Sequence, residues 1–245
     1  MAKNPLTTNF SEPLNDATTA VVDIHVGDGN LTIDRLTGGE QVLASGMLQY
    51  FENQGLPART LVSSSGQATL TLRGTGVGRS WFRLPWAACN GATEWQIHLN
   101  PTVSSDITAH SGGGNVKLNL AGMTVTHLSA GTGGGNVDVV LPEDVADLSV
   151  TAETGGGNLS VEIGRGITGS NTVYASSGAG NVVVLVPSGM AARIHATTGL
   201  GKATVDPRFG KTDSHMYQSP DFDSAANKVE ITAQSGAGNV SVNTL

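Results

Sequence analysis

Hydrophobic and polar positions alternate one by one in short runs along residues 102–245, and a glycine-rich corner separates the runs. The corner follows the template Ser/Thr-Gly-x-Gly-Asn and occurs six times, with lysine in place of asparagine in the fifth copy. Strict alternation over about four to eight residues is typical of a strand with one buried face. The pattern therefore predicts a repeated unit of strand, corner and strand. The six corners are residues 111–115, 132–136, 154–158, 177–181, 198–202 and 235–239.

The positions around each corner form uniform columns when the final asparagine, or Lys202, is counted as zero. Position −6 is alanine in every copy, position −4 is serine or threonine, and positions −8, +1 and +3 are aliphatic. The corners recur about every 22 residues until a longer gap precedes the sixth copy. These columns indicate side chains that point into a common interior.

One unit of this kind cannot bury its apolar face alone, whereas stacked units pair each strand with its counterpart and bury a continuous column. The sequence therefore predicts an all-β protein, a flattened right-handed β-solenoid of about 22-residue coils with an irregular N-terminal cap. The predicted segments are an N-terminal tail (1–20), a divergent first coil with the cap (21–101), and the repeats (102–245) with an insertion at 207–227.

The corners have two interpretations. Glycines can cradle a phosphate where a loop opens a helix, but no helical period follows any copy. The structural interpretation is a tight turn in which glycine supplies a positive φ and asparagine tolerates the left-handed region. Stacked asparagine side chains could then form a hydrogen-bonded ladder, which Lys202 is expected to interrupt.

The region before the repeats contains Gly27-Asp28-Gly29-Asn30, which fits the corner template and predicts a seventh, divergent coil. Two further strands are predicted at residues 46–51 and 68–72. Three tryptophans follow this coil, and we expect Trp81 and Trp86 to belong to an end cap. The alternative is a carbohydrate-binding platform, because flat aromatic faces stack on sugars. The tryptophans are Trp81, Trp86 and Trp95.

The insertion carries Phe209, Tyr217 and Phe222 among polar residues. Long loops on regular scaffolds often bind partners, so these aromatic residues are candidate contacts. The insertion could equally fold over the open end of the stack. Because the Val240–Val242 strand comes last, its edge is otherwise expected to be open for β-augmentation or end-to-end assembly.

One outward strip is apolar where the others are polar. Val183 and Leu185 occupy outward positions in the fourth repeat, and Val140 occupies one in the second repeat. Exposed apolar strips mark partner surfaces, so we expect self-association or docking of a protein or peptide here. Outward Asp138 and Glu162 on neighbouring coils leave a carbohydrate-active enzyme as a remote alternative, although solvated surface acids are the commoner case.

Composition narrows the remaining possibilities. The 245 residues carry a net charge of −7, with few and scattered cations, which excludes nucleic acid as an expected partner. Cys89 is the single cysteine, and the six histidines lack the close pairing of zinc ligands, so neither a disulfide, a metal nor another cofactor is expected. We expect no bilayer-spanning segment, because no apolar run is long enough, and no secretory signal in residues 1–10, because they lack an apolar stretch. The compartment stays open between the cytoplasm and the cell envelope.

Four features of the sequence carry a family resemblance: residues 23–34 (DIHVGDGNLTID), residues 95–101 (WQIHLNP), the six corners and the acidic composition. By these features the chain resembles bacterial toast-rack or putative-adhesin domains, which include the C-terminal domains of LiaF-type and PspC-type envelope-stress proteins. The resemblance implies a non-catalytic β-repeat scaffold near the bacterial envelope that binds proteins, peptides or surface components. An envelope glycan is a possible partner, and the apolar strip separately predicts a homo-oligomer. The resemblance implies no catalytic or cofactor-binding residues.

Overall fold

The computed structural model describes residues 4–38, 41–75 and 93–245, and within these ranges the chain forms strands and loops without any helix. The predicted all-β class is therefore confirmed. The strands are β1 Leu6–Pro13, β2 Thr19–Val26, β3 Gly29–Arg35, β4 Val42–Tyr50, β5 Ala58–Ser64, β6 Gln67–Arg73, β7 Thr93–Leu99, β8 Ser104–Ser111, β9 Val116–Asn119, β10 Val125–Thr132, β11 Val137–Val140, β12 Ser149–Thr154, β13 Leu159–Glu162, β14 Ser170–Ser177, β15 Val182–Val186, β16 Ala191–Leu200, β17 Ala203–Val205, β18 Gly210–Lys211, β19 Met216–Gln218, β20 Lys228–Ala237 and β21 Val240–Thr244.

The strands belong to two mixed sheets, called here sheet A and sheet B. The strand before each repeat corner lies in sheet B and the strand after it lies in sheet A. Sheet A has the order β1-β4-β7-β3-β9-β11-β13-β15-β21-β17, and sheet B has the order β18-β19-β16-β20-β14-β12-β10-β8-β2-β6-β5.

Neighbouring repeats pair in parallel and in the register that the sequence columns predict. In sheet A, Val137 lies opposite Val116 on one side and Leu159 on the other. In sheet B, Ala130 lies opposite Ala109 and Ala152, and every alanine at position −6 is at most 1% exposed. Strands β2 and β3 join the same stack, as the corner at residues 27–30 predicts. The inward columns of both sheets form one continuous core.

The spatial order of the repeats differs from their order along the chain. β20 lies between β14 and β16, and β21 lies between β15 and β17, so the sixth repeat is inserted between the fourth and the fifth. The insertion supplies the length of chain that doubles back to permit this. The prediction of an open edge at Val240–Val242 is therefore wrong, because β21 is paired on both sides. β17 of the fifth repeat is the strand at that end of sheet A.

The N-terminal part adds antiparallel strands to the stack. β1 pairs with β4, β4 pairs with β7, and β5 pairs with β6. Residues 6–13, which the sequence pattern assigns to a tail, thus form an edge strand in which Phe10 is the one buried residue. Trp95 on β7 is 1% exposed, and its indole Nε1 donates a 2.9 Å hydrogen bond to the Gln49 carbonyl. Trp81, Trp86 and Cys89 lie outside the described residues.

Close packing between repeats, and not the positive φ that the sequence pattern predicts, requires the glycines at positions −3 and −1 of the corners. Of the glycines at positions −3 to −1, Gly201 is the one with φ in the left-handed region, and no corner asparagine is there. A methyl group on Gly135 would lie 2.2 Å from the carbonyl oxygen of Gly114 in the neighbouring corner. A methyl group on Gly134 would have no atom within 4 Å. The middle position can therefore vary while its flanking glycines cannot.

The predicted asparagine ladder is present. Each corner asparagine accepts, on its side-chain Oδ1, a hydrogen bond of 2.9–3.0 Å from the backbone N–H of the corresponding residue in the next corner. Lys202 does not interrupt this ladder, because the inserted sixth repeat places it at the end. Its N–H donates to Asn239, and no further corner requires an acceptor from it. In spatial order the ladder runs Asn30, Asn115, Asn136, Asn158, Asn181, Asn239 and Lys202.

A second ladder explains the serine or threonine at position −4. Each hydroxyl donates a hydrogen bond of 2.6–2.8 Å to the carbonyl of the glycine at position −1 in the neighbouring corner. Most of these hydroxyl-bearing residues are buried. The hydroxyls therefore satisfy carbonyl groups that would otherwise be buried without partners.

Candidate interaction surfaces

Functional side chains can lie on the outer faces of the two sheets, in the insertion, or at the ends of the stack, because the inner faces are sealed in the core. Among the described residues, no group of three or more histidine, cysteine, aspartate or glutamate side chains is arranged to hold a metal ion. The same part of the chain contains no helix long and apolar enough to cross a membrane.

The predicted apolar strip lies on the outer face of sheet A. Val183 and Leu185 are adjacent outward residues of β15, and both are half-exposed. Val140 lies in the same cross-strand row as Leu185, but Glu162 of the intervening strand separates them. The structure thus brings Val183 and Leu185 together and leaves Val140 apart from them.

Asp138 and Glu162, the remote catalytic alternative, lie on the neighbouring strands β11 and β13. Asp138 is directly opposite Ser160, so Glu162 is its diagonal neighbour. Asp138 is exposed and Glu162 is half-exposed, and both are on an open outer face. This arrangement resembles solvated surface acids more than a pair of catalytic carboxylates in a cleft.

A row of Ser45, His98 and Asp34 crosses the cap end of sheet A. His98 lies opposite Ser45 on β4 and opposite Asp34 on β3, and its Nδ1 is hydrogen-bonded to the Asp34 carboxylate. Sequence analysis missed this row because the three residues come from distant strands whose pairing it did not predict. Within the described contacts the Ser45 hydroxyl makes no hydrogen bond to the imidazole, so an activated nucleophile is not assembled.

A charged cluster occupies the outer face of sheet B near the first corners. The His25 and His110 rings stack with centroids 5.5 Å apart, and Asp23 lies 2.8 Å from His25 Nε2 and 2.6 Å from Arg73 Nη2. His110 Nε2 also contacts the Ser129 hydroxyl at 3.2 Å. Burial, and then the nearby His25, lower the pKa of His110 from its ordinary value of 6.5, although Glu153 and Asp23 act in the opposite direction.

A depression of about 380 Å³ adjoins this cluster. Gly131 occupies an outward position of β10, and the His110 ring covers it, as a methyl group there would be 2.8 Å from His110 Nδ1. The exposed carboxylate of Glu153 and the side chain of Ser176 form the other side. One feature of the sequence could have indicated this depression: Gly131 is at an outward position where the other repeats have larger side chains.

The lowered pKa of His110 predicts a loss of stability on acidification. The unfolded chain takes up a proton near pH 6.5, whereas the folded chain resists it, so stability falls as the pH drops from that value through the folded pKa. We expect His110→Gln, which keeps a donor for Ser129, to reduce the difference in urea midpoint between pH 8 and pH 5. An unchanged difference between these two pH values would contradict the assignment.

The insertion folds back over the end of the stack. Phe209 is 3% exposed and is part of the main core, and Phe222 is 2% exposed beneath the Arg193 guanidinium, whose Cζ is 4.2 Å from the ring centroid. These two rings therefore cannot contact a partner, which favours the capping alternative for them. Tyr217 is half-buried on β19, which pairs antiparallel with β16.

Arg208 fixes the start of the insertion to the end of the stack. Its guanidinium donates to the carbonyls of Met190 and Pro187, both at 3.1 Å, and its Nε donates to the Thr244 hydroxyl at 2.7 Å. Burial lowers the pKa of Arg208, and hydrogen bonds, chiefly from the Arg208 backbone N–H, lower the pKa of Asp206. This network holds the start of the insertion against β21 and against the loop before β16.

The two stacked sheets define a class of all-β repeat proteins, and the part of the chain that the structure describes contains no cluster arranged to hold a metal ion. Residues 2–162 match the family model described as the N-terminal domain of toast_rack, DUF2154. The match covers more than half of the chain, and the protein belongs to the toast-rack family.

Structural comparison matches the chain to solved structures, two of which are described next. One, described as a "putative cell adhesion protein" from Clostridium sporogenes, has a TM-score of 0.65 and 19% identity, covering 99% of this chain and 100% of the other. The second, a "putative adhesin" from Bacteroides fragilis, has a TM-score of 0.40 and 13% identity, covering 99% and 98%. The likeness to the Clostridium protein shows a common fold. No curated protein sequence matches the chain.

Proposed function

We propose that this protein is a non-catalytic interaction scaffold of the adhesin-like class, working at the bacterial cell envelope. Its repeats form a flattened right-handed β-solenoid whose outer faces present side chains to partners. The toast-rack family assignment and the fold shared with a protein described as a cell adhesion protein support this function. The partner we propose for one outer face is a second copy of the chain.

The observation that carries the proposal is the pair Val183 and Leu185 on the outer face of β15. The positions beside Val183 in the same row are Ser160 and Ser241, and the positions beside Leu185 are Glu162 and Asn243. An apolar centre with a polar border is the usual composition of a protein–protein contact. The net charge of −7 makes burial of this strip by a polyanion unfavourable.

Substituting both apolar residues with charged ones tests the contact. We expect Val183→Asp with Leu185→Lys to shift the particle mass toward the 25.0 kDa of one chain, because burying two charged side chains in the contact costs desolvation energy that burying the apolar pair does not. The mass is measured by light scattering coupled to size exclusion over a concentration series.

A matched control is Ser149→Asp with Thr151→Lys on β12, which has the same two-residue spacing on the outer face of sheet B. The control variant is expected to keep the mass of the unmodified protein. Equal masses for the strip variant and the unmodified protein at every concentration would refute self-association through β15.

A further inference from the structure

Sheet B is longer than sheet A at the end of the stack formed by the fifth repeat. Sheet A ends at β17, whereas sheet B continues from β16 to β19 and β18. The two extra strands overhang the edge of β17. They leave a step that is about two strand widths across, roughly 10 Å.

The edge of β17 presents backbone groups toward this step. The Lys202 carbonyl accepts from Val240 N–H, and Asp206 N–H donates to the Val242 carbonyl, so residues of even number face β21. Alternate residues of a parallel strand direct their backbone groups to opposite sides. The N–H and C=O groups of Ala203 and Val205 therefore face away from β21, and within the described ranges no strand pairs with them.

The inner side chains at the step are incompletely covered. Ala203 and Val205 are half-exposed, whereas the equivalent Val240 and Val242 of the adjacent strand are 0% exposed. Tyr217, opposite the buried Ile194 on β16, is also half-exposed. An unpaired strand edge and three partly covered apolar side chains thus meet in one place.

The shape of the step restricts what can enter it. A second copy that continued both sheets would collide with β19 and β18, which occupy the places of its own sheet B strands. A further repeat would also need an asparagine acceptor at position 202, where Lys202 stands instead. The space therefore fits an element that extends sheet A alone and adds no strand to sheet B. The described contacts include no partner for the Lys202 ammonium group, which adds a positive charge at the corner end of the edge.

We propose that this step binds one extended peptide segment of a partner protein, added to sheet A as a parallel strand beside β17. Apolar residues at alternate positions of the segment pack toward Val205 and Tyr217, and an acidic residue precedes them beside Lys202. Main-chain hydrogen bonds to Ala203 and Val205 give the affinity, and the alternation and the acidic residue give the specificity. This surface is distinct from the Val183 and Leu185 strip, and either proposal can fail without the other.

The test uses the full chain and a labelled peptide of sequence Ser-Glu-Val-Thr-Val-Thr-Ser, measured by fluorescence anisotropy. Val205→Pro removes one edge N–H without removing a bond to β21, and proline is tolerated on that side of an edge strand. We expect it to weaken binding by about tenfold or more. Lys202→Glu is expected to weaken binding of the same peptide several-fold. This variant is expected to bind a peptide with lysine in place of glutamate more tightly than the original peptide.

Two controls separate this docking from unspecific contact. Thr204→Ser, on the outer face of the same strand, is expected to leave binding unchanged, and circular dichroism checks that each variant is folded. A peptide of the same composition without alternation, Ser-Glu-Val-Val-Thr-Thr-Ser, is expected not to bind. Absence of binding at millimolar peptide, equal binding of the two peptides, or no effect of Val205→Pro would each overturn the proposal.

Discussion

Replacing Gly157 with alanine is expected to destabilise the protein by about 3 kcal/mol or more. The added methyl group would lie 2.0 Å from the Gly135 carbonyl oxygen, and both groups are backbone atoms of stacked corners. The carbonyl also accepts the Thr154 hydroxyl at 2.7 Å, so it cannot move away without breaking the hydroxyl ladder. Urea unfolding followed by circular dichroism measures the loss.

Gly156→Ala is the matched control, one residue away in the same corner. Its methyl group would meet no atom closer than the Gly134 Cα at 4.0 Å. We expect a change within about 0.5 kcal/mol, as for other surface substitutions. Similar costs at positions 156 and 157 would show that backbone flexibility, and not the approach between corners, explains these glycines.

Trp95→Ala is expected to cost about 3–5 kcal/mol in the free energy of unfolding. Trp95 lies opposite Leu31 on β3 and Leu48 on β4, so its ring joins the parallel repeats to the antiparallel cap. Removing it leaves a cavity at this junction and an unpaired Gln49 carbonyl.

Trp95→Phe separates the two contributions, because it keeps most of the buried ring and loses the indole N–H. We expect it to cost clearly less than the alanine variant. A cost below about 1 kcal/mol for Trp95→Ala would show that the junction contributes little to the stability of the fold.

The repeat strands could be predicted from the sequence because alternation and burial coincide at most positions. Ala152, for example, is in an inward column both by pattern and by its 0% exposure. The strand at residues 6–13 could not be predicted, since Phe10 is its single buried residue and an edge strand leaves no clear period. An alternating pattern predicts a strand only where one face of that strand is covered along most of its length.

The spatial order of the repeats could not be predicted from the periodicity of the sequence. The sequence columns are the same in all copies, so they cannot say that the sixth repeat lies beside the fourth. Lys202 was the one indication that the fifth repeat lies at the end of the stack. The end of an asparagine ladder is where a side-chain acceptor is dispensable. The same limit applies to the surfaces. Val183 and Leu185 are neighbours on one strand and could be grouped from the sequence, whereas the step at β17 depends on how far each sheet extends.

The inserted sixth repeat also determines when the end of the molecule can fold during synthesis. β16 and β17 leave the ribosome before residues 228–245 exist, yet their parallel partners are β20 and β21. The fifth repeat therefore cannot form its native parallel pairing until the sixth repeat has been synthesised, whereas the first three repeats pair with repeats that precede or directly follow them in the chain. On a ribosome stalled before residue 228, β16 and β17 would lack the parallel partners that they have in the folded protein.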